Sequence, residues 1–313
     1  MNNMGDSNVT TPLSSQESGQ GVRLLDGKTL AVQIKDEIAN EVRQLTAAGH
    51  RAPHLAAVIV GEDGASMTYV ANKEKSSHEV GFTSSVYRMS EKTTEAQLLE
   101  TIEFLNNDPD IDGFIVQLPL PKHINEQKVI NAISPDKDVD GFTPINIGRM
   151  VLGEECFIPA TPMGICTLLQ RYGIETVGKH CVVIGRSNIV GTPVANLLSR
   201  KGTDCTVTMC HSRTHNLPEL TRQADILVVA IGKPEFVTAD MVKEGAVVID
   251  VGIHRIPDAS KKSGYSIIGD VKHSEVDRHC SWTTPVPGGV GPLTIVSLLQ
   301  NTLKAYRRHR AQD

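Results

Sequence analysis

The sequence lacks any apolar run near the roughly eighteen residues that cross a membrane, so a transmembrane helix is excluded. Its six cysteines, Cys156, Cys166, Cys181, Cys205, Cys210 and Cys280, include no Cys-x-x-Cys pair. Three of them fall inside or beside apolar runs that suit buried strands, which makes them small reduced hydrophobes rather than disulfide partners. No charge of one sign dominates, since 31 Lys and Arg face 36 Asp and Glu for a net charge of −5. That balance gives no reason to expect nucleic acid or a membrane as partner. Residues 1–22 contain no Lys or Arg and are rich in Ser, Thr, Gln, Gly and Asn. They lack both a secretory n-region and the arginines of a transit peptide, so a disordered tail on a cytoplasmic protein is the expectation. There is no internal repeat and no long linker.

A chain of 313 residues suits two domains better than one. The stretch that organises it runs from Cys181 to Val194: a buried strand, a glycine turn, then a helix opening at Pro193 and continuing through Ala195, Leu197 and Leu198. A helix N-terminus offers unpaired N–H groups and partial positive charge, which favours a phosphate. Of the G-x-G-x-x-G fingerprint only Gly185 and Gly191 remain, six apart rather than five, so a tight turn without a ligand stays open at this point. The next strand, Val207 to Cys210, ends without the Asp or Glu that holds the ribose of NAD. Ser212 and Arg213 stand there instead, with Arg186 in the first turn, a set that suits the 2′-phosphate of NADP. Ile226–Gly232 and Ala246–Gly252 follow as apolar runs ending in glycine, the pattern of a parallel sheet covered on both faces.

The first half is α/β as well. Leu30, Ile34, Ile38, Val42 and Leu45 recur at helical spacing up to Gly49, and Leu55–Val60 reads as a buried strand. A turn at Gly61–Ala65 then enters a helix that Ser66 is suited to cap. Tyr69 and Lys73 lie four apart on it and share a face. That face is either a solvated one, given Lys73, Glu74, Lys75 and Glu79, or a pair aimed at one target. Strands are expected at 82–87 and 111–116 with a helix at 95–105 between them, and Gln117 closes the second strand at the end where parallel sheets bind ligands. Asp136, Asp138, Asp140 and Gly141 match the first half of a calcium loop, but Ile147 stands where the bidentate glutamate belongs and Pro144 intervenes. Calcium is rejected, which leaves a turn or a carboxylate that orients a substrate. Pro159–Pro162 and Thr284–Thr294 mark the crossings between halves. The second crossing is either a plain linker or a side-chain-poor loop whose backbone approaches a flat ligand. Pro292 suits the first turn of a last helix with Val296, Leu299, Leu303 and Tyr306 on one face, packing back on the first half. Its Lys304, Arg307, Arg308 and Arg310 complement the helix dipole.

Taken together, Tyr69–Lys75, Val116–Pro121, Asp138–Gly141, Gly185–Pro193 and Pro285–Thr294 resemble, in order and spacing, the bifunctional methylenetetrahydrofolate dehydrogenase/methenyltetrahydrofolate cyclohydrolases. The resemblance spans Leu24 to the final helix. It implies a two-domain α/β fold: a disordered tail at 1–22, a catalytic folate domain at 23–160 plus 292–313, and a Rossmann-like NADP-binding domain at 161–291. It further implies hydride transfer from 5,10-methylenetetrahydrofolate to NADP⁺, hydrolysis of the methenyl cation to 10-formyltetrahydrofolate, and a homodimer. Hydrolysis needs a group that moves protons. An amine is a poor base in neutral water, and a cleft holding a cationic intermediate favours its uncharged form, which makes Lys73 the candidate. Gln117 would hold that amine and Tyr69 would stack on the folate ring. By resemblance Asp140 accepts hydrogen bonds from the pterin, while Asp270, Gly288, Gly289 and Pro292 complete the folate pocket. Gly185, Arg186, Ser187, Ser212 and Ile253 carry over as NADP contacts, Gly191 belongs to the same turn, and Arg213 joins them on electrostatic grounds. The alternatives are a homologue with dehydrogenase activity alone and a non-catalytic nucleotide-binding regulator on the same fold.

Overall fold

Short apolar runs bounded by glycine pair into parallel strands when helices cover both faces. In the computed structural model, which describes residues 16–17, 21–261 and 264–311, they form two separate sheets joined by α-helices. The chain enters through β1 (Gln16–Glu17) and β2 (Arg23–Leu24), then makes α1 (Gly27–Ala47), β3 (His54–Val60), α2 (Gly64–Glu79), β4 (Thr83–Met89), α3 (Glu95–Asn107) and β5 (Gly113–Val116). Helices α4 (Glu126–Ala132) and α5 (Pro144–Leu152) lead to α6 (Ala160–Arg171). The second half runs β6 (His180–Ile184), α7 (Gly191–Ser199), β7 (Thr206–Cys210), α8 (Leu217–Thr221), β8 (Ile226–Val229) and β9 (Ala246–Asp250). The hairpin of β10 (His254–Pro257) and β11 (Tyr265–Ile268), the single turn α9 (His273–Val276) and β12 (Cys280–Thr283) precede α10 (Val290–Arg310).

The smaller sheet has the order β4-β3-β5 and is parallel throughout. The larger has the order β1-β2-β12-β9-β8-β6-β7, parallel except where β1 meets β2. From β6 the chain goes to β7 on one side and returns to β8 on the other. That reversal opens a crevice at the carboxyl ends of β6 and β8, where sheets of this kind take ligands. Most of the 1–22 tail lies outside the described residues; within it Gln16 and Glu17 pair with Leu24 and Arg23. Arg23 and Leu24 pair in turn with Trp282 and Thr283, so the chain starts on the larger sheet before α1 crosses to the smaller one.

α10 packs along α6 and α1 and reaches α2. Its expected apolar face, Val296, Leu299, Leu303 and Tyr306, is buried. Its basic residues do more than complement a dipole, because they reach across to the first half. Arg307 pairs with Glu41, Arg308 Nη2 lies 2.8 Å from Glu155, and Lys304 Nζ donates to the Cys156 carbonyl at 2.9 Å. His309 Nδ1 meets Asp112 at 3.2 Å, on a buried carboxylate that Arg51 also grips with both Nη atoms at 2.7 and 2.8 Å. All six cysteines are free thiols. Burial pushes Cys166 and Cys280 up to about 12, so they stay protonated at neutral pH and pack as small hydrophobes.

Candidate active site

α2 is capped by Asp63, whose carboxylate accepts from Ser66 N–H at 2.8 Å, so Asp63 and not Ser66 is the cap. With that start fixed, the 3.6-residue period turns Tyr69 and Lys73 to one side. Lys73 is 9% exposed, so its side chain is not a solvated one, while Tyr69 is 43% exposed. Lys73 Nζ donates to Gln117 Oε1 at 3.2 Å. Gln117 follows β5, its N–H bonds the Val58 carbonyl at 2.9 Å, and its own Nε2 donates to the Leu118 carbonyl at 2.7 Å. With the amide nitrogen spent on the backbone, the amide oxygen is left for the ammonium.

Asp140 lies within electrostatic reach of Lys73. Burial pushes its carboxyl up, and the Lys73 charge acts in the opposite direction. Among the described residues no hydrogen-bond donor engages it. Asp138 is different: its carboxylate accepts from the N–H groups of Gly141, Phe142 and Thr143 at 3.0, 3.1 and 2.8 Å and from Asn146 Nδ2 at 2.9 Å. Asp138 therefore builds the turn, and Asp140 is the carboxylate free to orient a ligand. The backbone on either side of it is anchored from α10, where Asn301 Nδ2 donates to the carbonyls of Val139 and Ile158 at 2.8 and 2.9 Å.

The Thr284–Pro292 loop leads into α10, the helix that reaches α2. Gly289 N–H closes a turn on the Pro285 carbonyl at 2.7 Å, Gly288 carbonyl accepts from Lys28 N–H at 2.8 Å, and Pro292 lies in the first turn of α10. The two crossings touch through Thr161 and Thr294, whose hydroxyls are 2.9 Å apart. Ile253 is exposed on the larger sheet's rim, with its Cδ1 3.3 Å from where a Cβ on Gly291 would sit.

On the larger sheet Gly185 sits at φ +123°, and a Cβ there would stand 2.2 Å from the Ala230 carbonyl oxygen. Only glycine fits, and the turn brings Gly191 and the start of α7 against it. Ser187 Oγ accepts from the N–H groups of Val190 and Gly191 at 3.1 and 3.3 Å, which shapes the approach to that helix. Arg186, Ser187, Ser212 and Arg213 are exposed on this rim. Among the described residues no hydrogen bond or ion pair engages either guanidinium, so both are open to an anion. Asp270 departs from the expectation of a ligand-facing carboxylate. It is fully buried, and its oxygens accept from Ile231 N–H, Gly232 N–H and His254 Nε2 at 2.8, 2.9 and 2.7 Å. Its neighbours Asp250 and His273 are polar groups that sequence reasoning misses, because their partners lie two to twenty-three residues away and no local pattern marks them.

Residues 25–140 match the family model described as tetrahydrofolate dehydrogenase/cyclohydrolase, catalytic domain, and residues 159–310 match the NAD(P)-binding domain of the same enzymes. The chain belongs to the tetrahydrofolate dehydrogenase/cyclohydrolase family. It is 62% identical over 286 residues to the bifunctional protein FolD of Cytophaga hutchinsonii, covering 91% of this chain and 99% of that one. Among solved structures, the FolD methylenetetrahydrofolate dehydrogenase/cyclohydrolase of Campylobacter jejuni is 46% identical at a TM-score of 0.86, over 91% of this chain and 98% of that one. The Trypanosoma brucei FolD, solved with NADP cofactor and an inhibitor, is 37% identical at a TM-score of 0.87, over 92% and 98%. The rim described above fits the NADP of such enzymes: a glycine cradle, a helix start and two unengaged guanidinium groups.

Proposed function

We propose that this chain oxidises 5,10-methylenetetrahydrofolate with NADP⁺ and hydrolyses the methenyl product to 10-formyltetrahydrofolate. The observation that carries the reading is the buried Lys73 side chain, tied to Gln117 and within electrostatic reach of the unengaged Asp140 carboxylate. Hydride transfer needs positioning above all. Hydrolysis also needs proton movement, because water loses a proton as it attacks the methenyl carbon and a ring nitrogen gains one as the C–N bond breaks. Lys73 takes that role, and Gln117 fixes where its nitrogen points. Tyr69 stacks on the folate ring, Asp140 accepts from the pterin amino group and ring N–H, and the Gly288, Gly289 and Pro292 backbone closes over the flat ligand. Asp270 enters this reading only through the backbone it holds on the cofactor side of the crevice.

Gly185, Gly191, Ser187, Ser212 and Ile253 would hold the cofactor, with Arg186 and Arg213 on the ribose 2′-phosphate. When bound, NADP⁺ supplies the hydride acceptor. Residues 23–160 with 292–313 act as the folate domain and 161–291 as the cofactor domain, a division supported by the packing of α10 on α1 and α2, while its packing on α6 bridges the two. Six unbridged thiols suit the reducing cytoplasm, with the chain acting as a homodimer in one-carbon metabolism that feeds purine biosynthesis. A homologue with dehydrogenase activity alone is disfavoured by the Lys73–Gln117 pair, which hydride transfer does not require. The deciding experiment assays both steps with NADP⁺ and NAD⁺ in parallel. Methenyl hydrolysis at the uncatalysed rate would leave a dehydrogenase only, and no folate-dependent NADPH formation would leave a regulator.

A further inference from the structure

The carboxyl-terminal rim of the larger sheet is built on two carboxylates that the chemistry above does not use. Asp250 ends β9 and is 1% exposed. Its Oδ1 accepts from the N–H groups of Gly252 and Asp270 at 2.8 and 3.0 Å, and its Oδ2 from Val271 N–H and His273 Nε2 at 2.9 and 3.1 Å. Asp270 takes Ile231 N–H, Gly232 N–H and His254 Nε2. Between them the two side chains tie the exits of β8 and β9 to the segment after β11. Asp250 N–H also donates to Thr284 Oγ1 at 2.8 Å, which brings in the loop leading to α10. The space is closed around them: a Cβ on Gly269 would stand 1.8 Å from Asp250 Oδ2, and one on Gly252 would stand 2.6 Å from Asp270 Oδ1.

Buried carboxylates carry a large desolvation cost unless donors surround them. Here the donors are five main-chain N–H groups and two imidazoles, and the main-chain ones belong to irregular segments at the end of the sheet where ligands bind. A loop fixed in this way loses little freedom when a ligand arrives, and that saving appears as affinity. Ile253 projects from one of these loops towards α10, the helix that also packs on α2. Arg186 and Arg213 lie off β6 and β7, the strands on the far side of β8 from β9.

We propose that Asp250, Asp270, His254 and His273 are positioning residues for the nicotinamide end of NADP, holding loops 231–232 and 251–253 in their binding conformation. They serve the oxidation and leave the hydrolysis untouched. This rests on the cofactor-binding role given to Ile253 above.

The test compares His254→Ala and His254→Gln in the full chain, with His273→Ala and His273→Gln as a second pair. Alanine removes the donor, whereas glutamine returns an N–H near the Nε2 position. Each protein is titrated calorimetrically with NADP⁺, and both activities are measured, with methenyltetrahydrofolate supplied directly for the hydrolysis. The alanine variants should raise the Kd and KM for NADP⁺ about tenfold, with hydrolysis unchanged, and the glutamine variants should recover most of the loss. An unchanged Kd overturns the inference. So does hydrolysis falling in step with oxidation, the mark of a purely structural role. A parent chain that binds no NADP⁺ overturns the cofactor site as well, whereas a parent that binds it normally beside indifferent variants overturns this inference alone.

Discussion

Lys73 gains its meaning from where its neighbours spend their hydrogen bonds. Gln117 Nε2 is committed to the Leu118 carbonyl, so its oxygen is fixed on the amine, and Asp140 has no other charge opposite it. Lys73→Ala should lower methenyl hydrolysis by about 10²–10⁴, the range expected for loss of a positioned proton-transfer group, measured as decay of methenyltetrahydrofolate absorbance. Hydrolysis at the parent rate would remove Lys73 from the mechanism. On the other rim, Arg186→Ala and Arg213→Ala should each cut the preference for NADP⁺ over NAD⁺ about tenfold, since hydrogen bonds to charged groups contribute about 1.5–3 kcal/mol. The ratio of kcat/KM for the two cofactors is the measurement. Much at this scale is legible in the chain: the four-residue spacing of Tyr69 and Lys73, the strand-end place of Gln117, and the basic residues after β6 and β7. What is not legible is which carboxylates are already engaged. Asp138 and Asp140 look alike on paper, and only the fold shows one saturated by four donors and the other open.

Helices and strands follow the apolar periodicity closely where burial is one-sided or complete, as in α1, β3 and α10. Departures occur where long-range hydrogen bonding decides. β1 and β2 have two residues each and exist because β12 offers an edge, and the β10–β11 hairpin carries no strong alternation. Asp63 outcompetes Ser66 as cap of α2 because its carboxylate reaches the Ser66 N–H from one turn earlier. Element junctions are also where stability concentrates. The Asp112 carboxylate before β5 holds Arg51, His54 N–H at the start of β3, and His309 on α10. Burial works against its charge, but these partners hold the carboxyl below its usual range. Asp112→Ala should therefore cost about 2–3 kcal/mol, because it strands a half-exposed guanidinium and a buried N–H. Urea unfolding should show a lower midpoint at an unchanged m-value.

Across the whole molecule, pH acts through His273. Burial opposes its charge, but Asp250 on β9 and Asp277 after α9 accept from its two nitrogens at 3.1 and 2.8 Å, with the Thr283 hydroxyl of β12 alongside. The carboxylates prevail, and the imidazole is held up to about 9 against about 6.5 in an unfolded chain. A folded value above the unfolded one gives stability that is complete below about pH 6.5 and is lost as pH rises to about 9, up to about 3 kcal/mol. Denaturant unfolding from pH 6 to 9.5 should show that decline in the parent and not in His273→Gln. The two-sheet architecture is legible in the run of apolar segments, while the wiring that locks the sheets together is not, because it joins residues more than a hundred positions apart. Asn301 illustrates the outcome. Its amide clasps the chain both before and after Asp140, so the carboxylate proposed to hold the pterin is moored by a residue translated some 160 positions later. A chain ending before that point would carry Tyr69, Lys73, Gln117 and Asp140 but leave the Val139 and Ile158 carbonyls without their donor, which makes the last three turns of α10 part of what shapes the proposed folate site.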